Sequence, residues 1–146
     1  DNESMLIDAG NNDDGHLICD YIKSLGITKI DYLVGTHPHE DHIGGLDNVI
    51  KTFEIGNIYM PKKSAATKTF EDVVTSIENK NLSIIAPKVG QNYEIGNAEF
   101  KIISPIKEDY GSNLNNYSVG IILSYGENKF IFTGVFSLHE NKASAW

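Results

Sequence analysis

Apolar residues follow two different rhythms along this 146-residue chain. In the first half, short apolar runs alternate with stretches of helical spacing. Met5-Leu6-Ile7 is a run stopped by Asp8-Ala9-Gly10, and it predicts a buried strand ending in a turn. Residues 11–15 read as loop. Leu17, Ile18, Tyr21, Ile22 and Leu25 then recur at helical spacing, with Gly26 placed to end the helix. Residues 30–34 predict a second strand, after which Gly35 hands the chain to a histidine-rich segment.

Beyond that segment, Leu46, Val49, Ile50 and Phe53 predict a short amphipathic helix, and Asn57-Ile58-Tyr59-Met60 a brief strand closed by Pro61. Thr69-Phe70-Glu71-Asp72 resembles a capping box with Asp in place of Glu or Gln. It opens a helix with Phe70, Val73, Val74 and Ile77 on one face. Residues 83–86 read as a strand stopped by Pro87. From there the period changes to two. Residues 93–95, 100–103, 119–125 and 129–133 predict strands, with the best hairpin signal at Tyr125-Gly126-Glu127-Asn128-Lys129. The first half is thus β/α and the second mostly antiparallel β, an α/β (α+β) layer structure. No repeat, low-complexity segment or linker divides the chain, so residues 1–146 read as a single domain.

Composition narrows the function classes. Hydrophobic content of 40% and charged content of 22% are ordinary for a globular chain with a real core. The net charge of −8 argues against a broad nucleic-acid footprint, and leaves nucleic acid conceivable only as a substrate. The single cysteine, Cys19, rules out an internal disulfide and a cysteine-based zinc site, and reads as a small core residue. No stretch approaches the roughly 20 apolar residues of a membrane span. The chain opens on Asp1-Asn2-Glu3-Ser4 with Met only at position 5, which suggests a processed or trimmed product. The sequence leaves the compartment open between cell surface and cytoplasm.

The chemistry concentrates in Thr36-His37-Pro38-His39-Glu40-Asp41-His42-Ile43-Gly44-Gly45, which holds three of the five histidines. Imidazole with carboxylate suits zinc, manganese or iron. In extended chain His37 and His39 project to one side and can share a metal. Asp41 and His42 join them only if the chain curls into the next helix. Two metals about 3.5–4 Å apart can activate water at neutral pH. His16 and His139 read as ordinary histidines.

The segment resembles the signature of the metallo-β-lactamase superfamily, and its flanks agree: Leu6-Ile7-Asp8-Ala9-Gly10 upstream and Phe130-Ile131-Phe132-Thr133-Gly134 downstream. With Asn116-x-Ser118-Val119 before a hydrophobic hairpin, it is most similar to the branch found as soluble domains of bacterial competence (DNA-uptake) proteins. The resemblance implies an αββα sandwich with a metal site at one edge of the two sheets, here incomplete at both ends. It implies His37 and His39 on a first metal, Asp41 and His42 on a second, and Asp41 as the catalytic residue that takes or relays a proton. The cofactor implied is zinc, one or two ions, with manganese as the alternative. The activity implied is hydrolysis of a phosphodiester or other ester, in a small-molecule or phosphodiester substrate, by a metal-bound hydroxide.

Two departures limit that expectation. Relatives continue Thr-Gly with a bridging Asp, where this chain has Val135; and its only later histidine is His139, in a stretch that reads as frayed helix or tail. Four ligands over two sites fall short of the three expected for each catalytic zinc. Weak or single-metal binding and low activity follow. Asp8 reads as a loop-stabilising hydrogen-bond acceptor. The competing reading is a catalytically inactive remnant with a structural or self-association role. In it, a homo-oligomer covers exposed sheet edges.

Overall fold

The computed structural model describes residues 3–135, so His139 and the rest of the expected tail lie outside the described residues. Two four-stranded sheets face each other. The first is parallel, in the order β1 (Met5–Ile7), β2 (Lys29–Val34), β3 (Glu54–Tyr59), β4 (Ile84–Ile85). The second is antiparallel, in the order β5 (Asn92–Ile95), β6 (Ala98–Ser104), β7 (Gly120–Tyr125), β8 (Asn128–Phe132). Helices α1 (Gly15–Ser24), α2 (Glu40–Ile43), α3 (Leu46–Thr52) and α4 (Lys68–Asn79) connect the parallel strands. Among the described residues, this is the α-β-β part of the expected sandwich.

Side chains on the two faces of β2 and β3 divide the core in two. Ile30, Leu33, Ile55 and Ile58 pack outward against Cys19, Ile22, Leu46, Val49, Ile50, Val73 and Ile77 of the helices. Val34 and Tyr59 point inward, meeting Phe100, Ile102, Val119 and Ile121 of the second sheet. Tyr32, Tyr59, Tyr93 and Phe100 form an aromatic cluster between the sheets, with Tyr32 edge-on to Phe100 at 4.9 Å between centroids. A parallel strand buried on both faces is why residues 30–34 read as a near-continuous apolar run.

Several expectations need correcting. Residues 12–14 form a 3-10 turn rather than open loop. The helix expected to open on a Thr69 capping box begins at Lys68, ahead of that pattern. Thr67 is its cap, its hydroxyl accepting the Phe70 N–H at 3.2 Å. Thr69 is buried instead, and its hydroxyl hydrogen-bonds the Asn12 amide group, bracing α4 against the turn that precedes α1. On α1 the apolar stripe is wider than the buried face. Cys19 and Ile22 enter the core, while Leu17, Tyr21 and Leu25 stay exposed along a groove beside β1. β8 is an exposed edge strand carrying Phe130, Ile131 and Phe132.

Candidate metal centre

The parallel register brings the C-terminal ends of β1 and β2 side by side, with Ile7 opposite Val34. Asp8 and the segment from Thr36 to Gly45 therefore leave the sheet together. Asp8 sits in the left-handed region (φ 61°), which Asp tolerates better than most residues. From there its carboxylate accepts three hydrogen bonds: from the Thr36 N–H at 2.7 Å, the Thr36 hydroxyl at 2.8 Å, and His42 Nδ1 at 2.7 Å. It is the hydrogen-bond acceptor that the sequence suggests.

These bonds determine where the imidazole protons sit. The Thr36 hydroxyl has one proton, and a carboxylate is the stronger acceptor, so that proton goes to Asp8. The same hydroxyl lies 3.0 Å from His37 Nδ1, and with its own proton committed it must accept. His37 is thus protonated on Nδ1 and carries a bare lone pair on Nε2. That Nε2 is fully buried and has no hydrogen-bond partner. His42 follows the same logic: its Nδ1–H is held by Asp8, so in the neutral ring the lone pair is on Nε2. Burial, with the His42 and His39 rings nearby, lowers the His37 pKa from 6.5 to about 4, so the ring stays neutral, as a metal ligand must be.

Three of the four expected ligands are brought together. The His37 ring centroid lies 4.9 Å from that of His39 and 4.1 Å from that of His42. His39 caps α2 in extended conformation, and the helix curls the chain so that His42 comes back beside His37. Asp41 stands at the rim, its side chain 68% exposed and its carboxylate 3.7 Å from His42 Nε2. Among the described residues, no group of three or more His, Cys, Asp or Glu side chains stands ready to hold a metal ion. The fit to a metal is therefore that of two pre-set imidazole lone pairs, with His39 adjacent and Asp41 in need of an inward rotation. His16 is exposed and Cys19 buried, as ordinary residues.

Close backbone packing fixes this arrangement. The Gly44 N–H donates to the Gly10 carbonyl at 2.8 Å, and the Ala9 N–H to the His42 carbonyl at 2.7 Å. The second sheet joins at Thr36, whose carbonyl accepts the Val119 N–H at 2.9 Å. Gly134 (φ 56°) lies so close that a Cβ there would fall 2.9 Å from the Ser118 side chain and 3.1 Å from that of Thr36. The next residue, Val135, donates its N–H to Ser118 Oγ, and its side chain is half-exposed. The chain at 134–135 thus lies beside the start of the histidine segment, and Val135, where the resemblance leads one to expect a bridging Asp, has no side-chain donor atom for a metal. Thr36 is the working residue that sequence reasoning missed; a buried threonine between a carboxylate and an imidazole leaves no periodicity to read.

The neutral state of His37 has a measurable consequence in the metal-free protein. Between pH 6.5 and about 4 the unfolded chain binds a proton on this residue that the folded chain does not. Stability is therefore full above pH 6.5 and declines as pH falls through that window, by on the order of 3 kcal/mol. Urea midpoints at pH 7 and pH 4.5 check this, and a His37→Asn variant should show a visibly shallower decline. An equal decline in both would assign the pH dependence to other groups.

Comparison with known proteins places this architecture. The chain belongs to the metallo-beta-lactamase superfamily, whose family model matches residues 1–138. It is a hydrolase-like family whose members generally bind metal ions. The chain is 27% identical over 114 residues to ComE operon protein 3 of Bacillus subtilis (strain 168), covering 78% of this chain and 15% of that protein. It is 33% identical over 97 residues to a Ribonuclease J of Synechocystis, covering 60% and 15%. A probable metallo-hydrolase of Bacillus subtilis, YqgX, is 42% identical over 55 residues, covering 38% and 25%. The chain thus spans a quarter or less of each of these relatives. Among solved structures, the metallo-beta-lactamase SMB-1 superposes with a TM-score of 0.62 at 16% identity, covering 90% of this chain and 54% of that one. That likeness concerns the fold, and it agrees with the expected sandwich. The likeness to ComE operon protein 3 agrees with the competence-type kinship.

Proposed function

We propose that this chain is the metal-binding part of a hydrolase that cleaves phosphodiester bonds, with zinc or manganese as its ion. The observation that carries the reading is the bare, fully buried and unpartnered Nε2 of His37, held ligand-ready by Thr36 and Asp8 beside two further imidazoles. Leaving such an atom unsatisfied costs about 1–3 kcal/mol, and a metal ion removes that cost. Likeness to a protein named Ribonuclease J favours phosphodiester hydrolysis over other ester chemistry, and likeness to a probable metallo-hydrolase supports a hydrolase in general. His37 and His39 would hold a first ion, Asp41 and His42 a second, and bound metal would supply Lewis acidity toward the phosphoryl oxygen. Asp8 and Thr36 fix both imidazoles and keep their protons away from the ligand nitrogens. Asp41, exposed at the rim, is positioned to take the proton released during attack and pass it to solvent.

The test is metal content of the purified chain, paired with hydrolysis of bis(p-nitrophenyl) phosphate in added zinc or manganese. Bound metal with turnover supports the reading; neither metal nor turnover defeats it. The second reading, a non-catalytic remnant, is favoured by one observation: the residue after Thr133-Gly134, where the resemblance leads one to expect a bridging Asp, is Val135. Val135→Asp separates the two. The substitution is expected to raise metal bound per chain toward the two ions of a dinuclear site and to increase turnover. Elemental analysis reads the first and the phosphodiester assay the second; no change in either would favour the remnant.

A further inference from the structure

The acidic total charge hides a basic groove. All twelve Lys and Arg residues of the chain are lysines. Three of them, Lys62, Lys88 and Lys107, gather around one cavity, with Lys63 behind it on Tyr117. A cavity of 590 Å³ is bounded by Lys62, Lys88 and Lys107, with an apolar floor of Pro61, Pro87, Val89, Ile106 and Tyr117. The fourth lysine, Lys63, packs over the Tyr117 ring at 4.7 Å and donates to the Gly111 carbonyl, so it shapes the wall. Two acidic residues stand nearby. Glu108 lines the cavity, and Asp109 beside it stays charged, its carboxylate accepting from the Tyr117 hydroxyl at 2.6 Å and the Gly111 N–H, so the lysines outnumber the acids here by four to two.

The groove adjoins the histidine segment through the backbone. Gly35 donates to the Tyr59 carbonyl at 3.0 Å and packs on Met60, immediately before Pro61 and Lys62. On the other wall, Tyr117 lies two residues before Val119, which donates to Thr36. Because β2, β3 and β4 run parallel, the histidine segment, Lys62 and Lys88 all emerge at the same end of the sheet. A cationic rim alone would suit any small anion. A rim with an apolar, proline-lined floor suits a ligand that alternates anionic and flat apolar groups, and the volume is within the ~300–1,000 Å³ of ligand sites.

Resting on the phosphodiesterase reading above, we propose that this groove is a subsite for unpaired nucleotides flanking the scissile bond, with phosphates on the lysines and a base against the floor. A duplex, whose bases are already stacked and paired, cannot use the floor.

The test is fluorescence anisotropy of a labelled 12-nucleotide single strand titrated with the full chain at several salt concentrations. The Lys62→Glu/Lys88→Glu double variant is expected to bind at least tenfold more weakly. Its log Kd should lose about 1.4 from its slope against log salt, two phosphate contacts at ~0.7 each. Lys23→Glu, an exposed change on α1, should bind like the parent, and a duplex of the same sequence should bind more weakly than the single strand. Unchanged thermal melting of the double variant shows that the fold is intact. Strand binding equal in parent and double variant, equal loss with Lys23→Glu, or equal affinity for duplex overturns the subsite. Binding is measured without turnover, so failure of hydrolysis alone counts against the proposed activity, while the lysine dependence of strand binding decides the groove.

Discussion

Gly44→Ala is expected to be among the most damaging single substitutions in the chain. A Cβ at this position would lie 2.3 Å from the backbone carbon of Asn11 and 2.3 Å from the backbone nitrogen of Asn12. Neither is the end of a flexible side chain, so one of the two segments must move. The backbone itself is helical there (φ −56°), a conformation alanine prefers, so the whole effect is steric. Overpacking of this kind costs about 1–3 kcal/mol and occasionally more. The upper end applies here, which lowers Tm by roughly 6–12 °C for a chain of this size. The move also drags the Gly44 N–H from Gly10 and displaces His42, so metal affinity should fall with it. Gly26→Ala is the contrasting change: its Cβ meets nothing within 4 Å, but φ is 74°, so only about 1 kcal/mol of backbone strain is expected. Thermal melting and zinc titration of the two variants separate close approach from turn conformation. Equal losses in both would refute the steric account.

The second large effect is expected at Asp8. Asn tolerates the left-handed backbone of this position, so Asp8→Asn changes hydrogen bonding and little else. One amide oxygen can still accept from Thr36, but the amide nitrogen is a donor facing donors. To avoid that clash, His42 must move its proton to Nε2, which consumes the lone pair meant for a metal. The Thr36 hydroxyl, no longer held to a carboxylate, can turn its proton toward His37 and do the same there. Affinity for zinc should fall about 10–100-fold, the usual effect of losing an orienting partner. Stability of the metal-free protein should drop by only about 1–3 kcal/mol. Calorimetric titration and urea unfolding measure the two. Full affinity in a destabilised variant would reduce Asp8 to a structural role.

The parallel half of the fold is readable in the sequence because its central strands are buried on both faces and bounded by Gly or Pro. Met5, Ile30 and Ile58 all fall in strands where apolar runs place them. The cap at Thr67 is hidden by a better-looking pattern two residues later, and only burial of Thr69 against Asn12 distinguishes them. Leu17, Tyr21 and Leu25 mislead for a different reason. Helical spacing marks an apolar stripe, but cannot say how much of it a neighbour covers. At the site, His37, His39 and His42 are legible because their spacing is rare. The tautomers are not, since they depend on Asp8, 28 residues before Thr36 in the chain. The lysine groove is masked by averaging. A net charge of −8 is a sum over the surface, and Lys62, Lys88 and Lys107 come together only when β3, β4 and β6 end near one another.

The division of the core into two clusters bears on the order in which the molecule opens. The helices and the outer face of the parallel sheet form one hydrophobic cluster, and the space between the sheets holds another. β2 belongs to both, and the histidine segment hangs directly from its end. The antiparallel half can therefore exchange its amide hydrogens through partial opening while β2 stays protected by the helices. Thr36 loses its bond from Val119 in such an opening but keeps both bonds to Asp8. The imidazoles proposed as ligands are thus tied to the parallel half of the protein, whereas the lysine groove is walled by both halves: Lys62 and Lys88 follow β3 and β4, while residues 105–108 and Tyr117 belong to the antiparallel half.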